Sequence, residues 1–189
     1  MIPIEKIDHI GIRVTQRDRA LAFYEVLGFK LLFEPDFDQV AIIKNDAGVE
    51  INLILNGEDS LEGKNILMDL PVKHPGITHV ALRVTDIVKA IETLQEHGIA
   101  ITQGPVTFGD GQVSVFFRDP DRNTIELRAD MNPLKAQTIP GLVFYDPKAW
   151  RHTWCFAVSR FLSTAILFAI NDFLAFLPPY SLVIAPWRR

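Results

Sequence analysis
The chain has 189 residues, 48% of them hydrophobic and 22% charged, with a formal net charge of −4. This length suits one ordinary domain, or a compact domain with a tail, and the mild acidity excludes a bulk basic field for nucleic acid. The one cysteine, Cys155, leaves no partner for an intrachain disulfide and fits a reducing, cytoplasmic setting. The opening MIPIEKIDHI has no basic region followed by a long apolar core, so no secretory signal is expected.

In chain order, IDHIGIRV (residues 7–14) alternates and predicts a strand. A helix follows over TQRDRALAFYEVLG, with Ala20, Phe23, Tyr24 and Leu27 at helical spacing. Thr15 with Asp18 predicts a capping-box-like start, and Gly28 a stop. Three strands come next: FKLLFE, QVAIIKN and VEINLIL, the last two joined by the turn NDAG. The order then repeats. ITHVALRV (residues 77–84) is a strand, and TDIVKAIETLQEHG is a helix with Ile87, Ala90, Ile91 and Leu94 on one face. Asp86 is placed to cap that helix and Gly98 to end it. IAITQG, QVSVFFR and NTIELRA close the second half around the turn DPDRN. His9 and His79, Arg13 and Arg83, and Gly28 and Gly98 share one offset of seventy residues. The predicted fold is therefore α+β, with two tandem βαβββ modules at about 5–56 and 75–130 inside a domain spanning 1–130.

Alternation along a strand sorts the side chains by face. His9, Gly11 and Arg13 oppose Ile10, Ile12 and Val14; His79, Ala81 and Arg83 oppose Val80, Leu82 and Val84. Glu50 and Asn52 oppose Ile51, Leu53 and Leu55; Glu126 and Arg128 oppose Ile125 and Leu127. Each strand thus has an oily back for its helix and a polar front. The fronts collect His9, Glu50, His79 and Glu126, a donor set suited to Ni²⁺, Zn²⁺, Mn²⁺ or Fe²⁺. Each half is expected to contribute one His and one Glu. Arg13, Arg83 and Arg128 lie along the same fronts and form a candidate anion-recognising rim.

These residues carry a resemblance. DHIGIRV with His9, GVEINL with Glu50, THVALRV with His79 and RDPDRNTIEL with Glu126 make residues 7–130 resemble the vicinal oxygen chelate superfamily. That superfamily includes glyoxalase I, fosfomycin-resistance thiol transferases, extradiol dioxygenases and methylmalonyl-CoA epimerases. The resemblance implies paired βαβββ modules forming a metal-holding cup. The His/Glu/His/Glu set is most similar to glyoxalase I (lactoylglutathione lyase), with one divalent ion, Ni²⁺ or Zn²⁺ ahead of Mn²⁺ or Fe²⁺. It implies a metal-stabilised enediolate formed from a 2-oxoaldehyde–glutathione hemithioacetal. Glu126 would be the base, Glu50 a ligand or an aid to reprotonation, and Arg13, Asn52, Arg83 and Arg128 substrate contacts. It further implies a small-molecule substrate and a homodimer. Arg13, four residues after the first His, matches a glutathione-contacting Arg. The glutathione-binding Asn expected four residues after the first Glu is replaced by Ile54, and the usual glycine of the DPDGN turn is Arg122. The alternatives are an extradiol dioxygenase using His9, His79 and Glu126, a thiol transferase, and a non-catalytic binding or resistance module.

Residues 131–189 are expected to be a linker and an apolar extension outside the modules. Cys155–Leu177 is long enough to cross a bilayer, but Arg160, Asn171 and Asp172 interrupt it, which favours a packing helix or an unselected tail over a span.

Overall fold
The computed structural model describes residues 1–59, 61–131 and 138–145. Residues Met1–Tyr145 form one compact unit; a second, Asp146–Arg189, falls outside the described residues, and with it the apolar stretch Cys155–Leu177. Among the described residues no helix is long and apolar enough to cross a membrane.

The first module is β1 (Ile10–Arg13), α1 (Arg17–Val26), β2 (Lys30–Phe33), β3 (Val40–Lys44) and β4 (Glu50–Ile54). The second is β5 (Val80–Arg83), α2 (Ile87–Glu96), β6 (Ile101–Thr107), β7 (Gln112–Arg118) and β8 (Thr124–Asp130), and β9 (Val143–Phe144) follows. The sheets run β1-β4-β3-β2 and β5-β8-β7-β6-β9. In each, the first strand of the module lies parallel beside the last and occupies an edge. The fold is α+β and built of two βαβββ modules, as the repeat predicts.

Three details differ from expectation. The leading strands start at Ile10 and Val80, so His9 and His79 stand just before them. The reason is pairing: the ladder to β4 begins at Ile10–Ile51 and that to β8 at Val80–Ile125. Helix α1 is capped at Gln16 without a side-chain cap, because Thr15 Oγ1 donates instead to Asp121 Oδ1 in the second module at 2.5 Å. Asp86 does cap α2, accepting from the Val88 and Lys89 amides. The compact unit also reaches beyond residue 130: β9 adds parallel to β6, and Ile139 is buried.

Both oily backs feed a continuous core that includes Val14, Phe23, Tyr24, Ile51 and Leu53 from the first module and Val113, Val115, Phe117 and Ile125 from the second. Each large buried side chain contributes about 1.5–3 kcal/mol. Phe23 and Phe117 meet across the modules at 6.1 Å, and buried Tyr24 donates its hydroxyl to Asp119 Oδ2 at 3.0 Å. Burial pushes the Asp119 carboxyl above the usual carboxylate range, against hydrogen bonds from Asn123 and Tyr24.

Candidate metal centre
Strand register shows which side chains correspond between modules. Gly11 lies beside Asn52, and its repeat partner Ala81 lies beside Glu126. On the other flank Ile42 pairs with Asn52, and Phe116 with Glu126. Lys44 pairs with Glu50, and Arg118 with Thr124. The first-module counterpart of Glu126 is therefore Asn52, while Glu50 corresponds to Thr124. The expectation that each half offers a matched His and Glu is corrected by two positions. The physical reason is that the second module is longer between its leading strand and β8, so one offset does not hold throughout the repeat.

The histidines keep their correspondence. Each has Nδ1 occupied by the preceding side chain: His9 by Asp8 Oδ2 at 3.0 Å, His79 by Thr78 Oγ1 at 3.0 Å. That arrangement presents Nε2 as the outward atom, which is how an orienting partner prepares an imidazole ligand. His79 Nε2 lies 3.1 Å from Glu126 Oε2, and the edge of Phe116 at 5.7 Å steadies its ring.

Glu126 is 3% exposed, and its other oxygen, Oε1, has no hydrogen-bond partner; Arg128 Nη1 stands 3.6 Å away. Asn52 Oδ1 is likewise buried without a partner. Orphaned buried oxygens cost about 1–3 kcal/mol each, so two at matched front positions are the mark of a site that takes a further group. Glu50 differs: its Oε2 accepts from Lys44 Nζ at 3.2 Å. The residues that meet within one chain are His79 and Glu126. Among the described residues no group of three or more His, Cys, Asp or Glu side chains is disposed to hold a metal. The donor set still fits a divalent ion: two imidazole Nε2 atoms, a buried carboxylate and an unpartnered amide oxygen.

The arginine rim divides. Arg83 pairs with Asp130, and Arg128 with Asp110 and Gln112, so a local carboxylate answers each charge. Arg13 instead donates Nε to the neutral Asn56 Oδ1 at 3.0 Å. It lines a cavity of about 370 Å³ shared with Arg19, Lys64 and Arg122 as well as Glu58 and Asp121. Asn56 is the residue sequence reasoning missed. With Asn52 in the place of the first-module carboxylate, the position four residues on is Asn56, not Ile54. A larger cavity, about 500 Å³, lies against the oily backs, among Leu27, Phe29, Leu82, Leu94 and Leu127, and of the front residues it touches Arg83.

Residues 6–127 match the Glyoxalase/Bleomycin resistance protein/Dioxygenase superfamily. The chain belongs to this superfamily. As a superfamily member it is similar to the glyoxalase domain-containing protein RDO1 of Mycosarcoma maydis, 32% identical over 67% of this chain and 69% of that one. It is 30% identical to lactoylglutathione lyase GLX1 of Arabidopsis thaliana over 63% of this chain, but that match spans only 42% of the lyase. Among solved structures it resembles a glyoxalase/dioxygenase from Nostoc punctiforme, with a TM-score of 0.54 and 26% identity, covering 67% of this chain and 92% of that one. Members of the superfamily commonly bind a divalent metal, and many are enzymes.

Proposed function
We propose that this protein is a metal-dependent lyase of the glyoxalase I kind, acting in the cytoplasm on the hemithioacetal of a 2-oxoaldehyde and glutathione. The observation that carries the reading is the buried Glu126, with one oxygen beside His79 Nε2 and the other without a hydrogen-bond partner, 3.6 Å from Arg128 Nη1. A divalent ion held by His79, Glu126 and His9, with a fourth position on β4, would supply Lewis-acid polarisation of the substrate oxygens. Glu126 takes the proton from C1, breaking that C–H bond, and returns it at C2, while the C1 hydroxyl proton passes to the C2 oxygen, so C1 becomes the thioester carbonyl, C2 the carbinol, and the isomerisation balances. Arg13 and Asn56 bind the acidic thiol portion, and the cavity beside them has room for it.

Among the described residues His9 does not group with His79 and Glu126, and the reading assigns completion of the centre to a second copy. Ile7 and Ile77, 80% and 84% exposed beside the two histidines, are the apolar surface that such a homodimer would cover. The test begins with metal analysis of the full chain, followed by an assay with methylglyoxal and glutathione. Glu126→Gln should lower kcat by about 10²–10⁴-fold; undiminished turnover would overturn its role. Mixing inactive His9→Ala and Glu126→Gln subunits should restore part of the activity, because one site of each mixed dimer then holds neither substitution.

A further inference from the structure
We infer that Asn52, and not Glu50, occupies the fourth position of the centre, which therefore has a single protein carboxylate, Glu126. This rests on the metal-dependent reading above and departs from the paired carboxylates that the sequence motif implies. Three independent observations support it. The parallel ladders place Asn52 beside Gly11 in the way Glu126 stands beside Ala81. The antiparallel ladders agree, pairing Asn52 with Ile42 as Glu126 pairs with Phe116. Finally, Asn52 Oδ1 and Glu126 Oε1 are both buried without a hydrogen-bond partner, whereas Glu50 Oε2 already accepts from Lys44.

The consequence is electrostatic. A divalent ion with one carboxylate and three neutral ligands keeps a net charge of +1, where two carboxylates would leave it neutral. That residual charge favours a substrate with an ionised or readily ionised oxygen. Asn52 can accept or donate a hydrogen bond but cannot serve as a base at neutral pH.

The test uses the full-length protein and Co²⁺ alone, titrated against a chromogenic chelator and followed by the visible absorption of the bound ion. Glu50→Gln should leave Co²⁺ affinity within about twofold of the parent, while Asn52→Ala should weaken it roughly tenfold. The isosteric Asn52→Asp, which adds a carboxylate without changing shape, should tighten it roughly tenfold and shift the visible bands. Because Asn52→Asp buries a charge when apo, its Tm should fall without Co²⁺ and rise more than the parent's on Co²⁺ addition, which separates ligation from misfolding. Co²⁺ binding that collapses in both Glu126→Gln and Glu50→Gln, with Asn52→Ala unaffected, would overturn the inference and leave the metal reading standing. Co²⁺ binding that is absent, or indifferent to Glu126→Gln, would overturn both.

Discussion
The two modules share one backbone plan, and their differences lie in the side chains mounted on it. The turn before the last strand shows this closely. In the first module the Asn45 amide donates to the Val49 carbonyl, the Asn45 carbonyl accepts from the Gly48 amide, and Asn45 Oδ1 accepts from the Val49 amide; in the second, Asp119 makes the corresponding bonds with Asn123, Arg122 and Asn123. Gly48 holds a left-handed φ of 82° in the one, and Arg122 a φ of 68° in the other. Yet Asn45 carries an amide, whereas Asp119 carries a buried carboxyl tied to Tyr24 and Asn123. The fronts diverge the same way. The first module offers a half-buried Asn52 and a Lys44–Glu50 pair; the second offers the buried Glu126 against His79. A duplicated scaffold has thus concentrated its buried charge in one copy, and the other supplies an imidazole and neutral polar groups around it.

Breaking the seam between the modules should have the largest effect on stability. Phe117 is fully buried and touches Phe23, so Phe117→Ala should cost about 3–5 kcal/mol, measured by urea unfolding. A smaller insult at the same seam, Tyr24→Phe, removes one donor from buried Asp119 and should cost about 1–2 kcal/mol. Both losses should appear in a single transition, since the core is continuous; two separate transitions would mean that the modules are energetically independent.

Making the second turn resemble the first tests the charge difference. The folded-state carboxyl of Asp119 is raised, so its contribution to stability is present below the unfolded value, near pH 4, and is lost as pH rises through the folded value. Asp119→Asn should remove that part of the pH dependence: the gap between parent and variant unfolding midpoints should change between pH 4 and pH 7. A constant gap would sink the assignment. The smallest effect is expected on β1, where a Cβ at Gly11 would meet nothing within 4 Å and the repeat partner is already alanine, Ala81. Gly11→Ala should be neutral or stabilise by up to about 1 kcal/mol, read as an unchanged or raised Tm.

Much of this was legible in the chain itself. Period-2 and period-3.6 patterns located every strand and helix of both modules, because the oily backs must meet a helix and the fronts need not. The histidines were legible for the same reason, as each opens a module at a fixed distance from its glycine stop. Thr15 was misread as a local cap because its partner, Asp121, lies more than a hundred residues away. The register was harder to read, because Glu50, a carboxylate, stands two positions from Asn52, the counterpart of Glu126 in the ladders. A shift of two keeps a residue on the same face, so alternation cannot detect it.

The sequence by itself determined the fold class, the twofold repeat and the faces, since these follow from local periodicity and the burial of apolar surface. Tertiary structure alone decided that Asn52 stands opposite Gly11, that Lys44 holds Glu50, and that His79 meets Glu126. Those are matters of register and of distance between segments remote in sequence, and both are set by hydrogen-bond ladders and packing that no local pattern encodes.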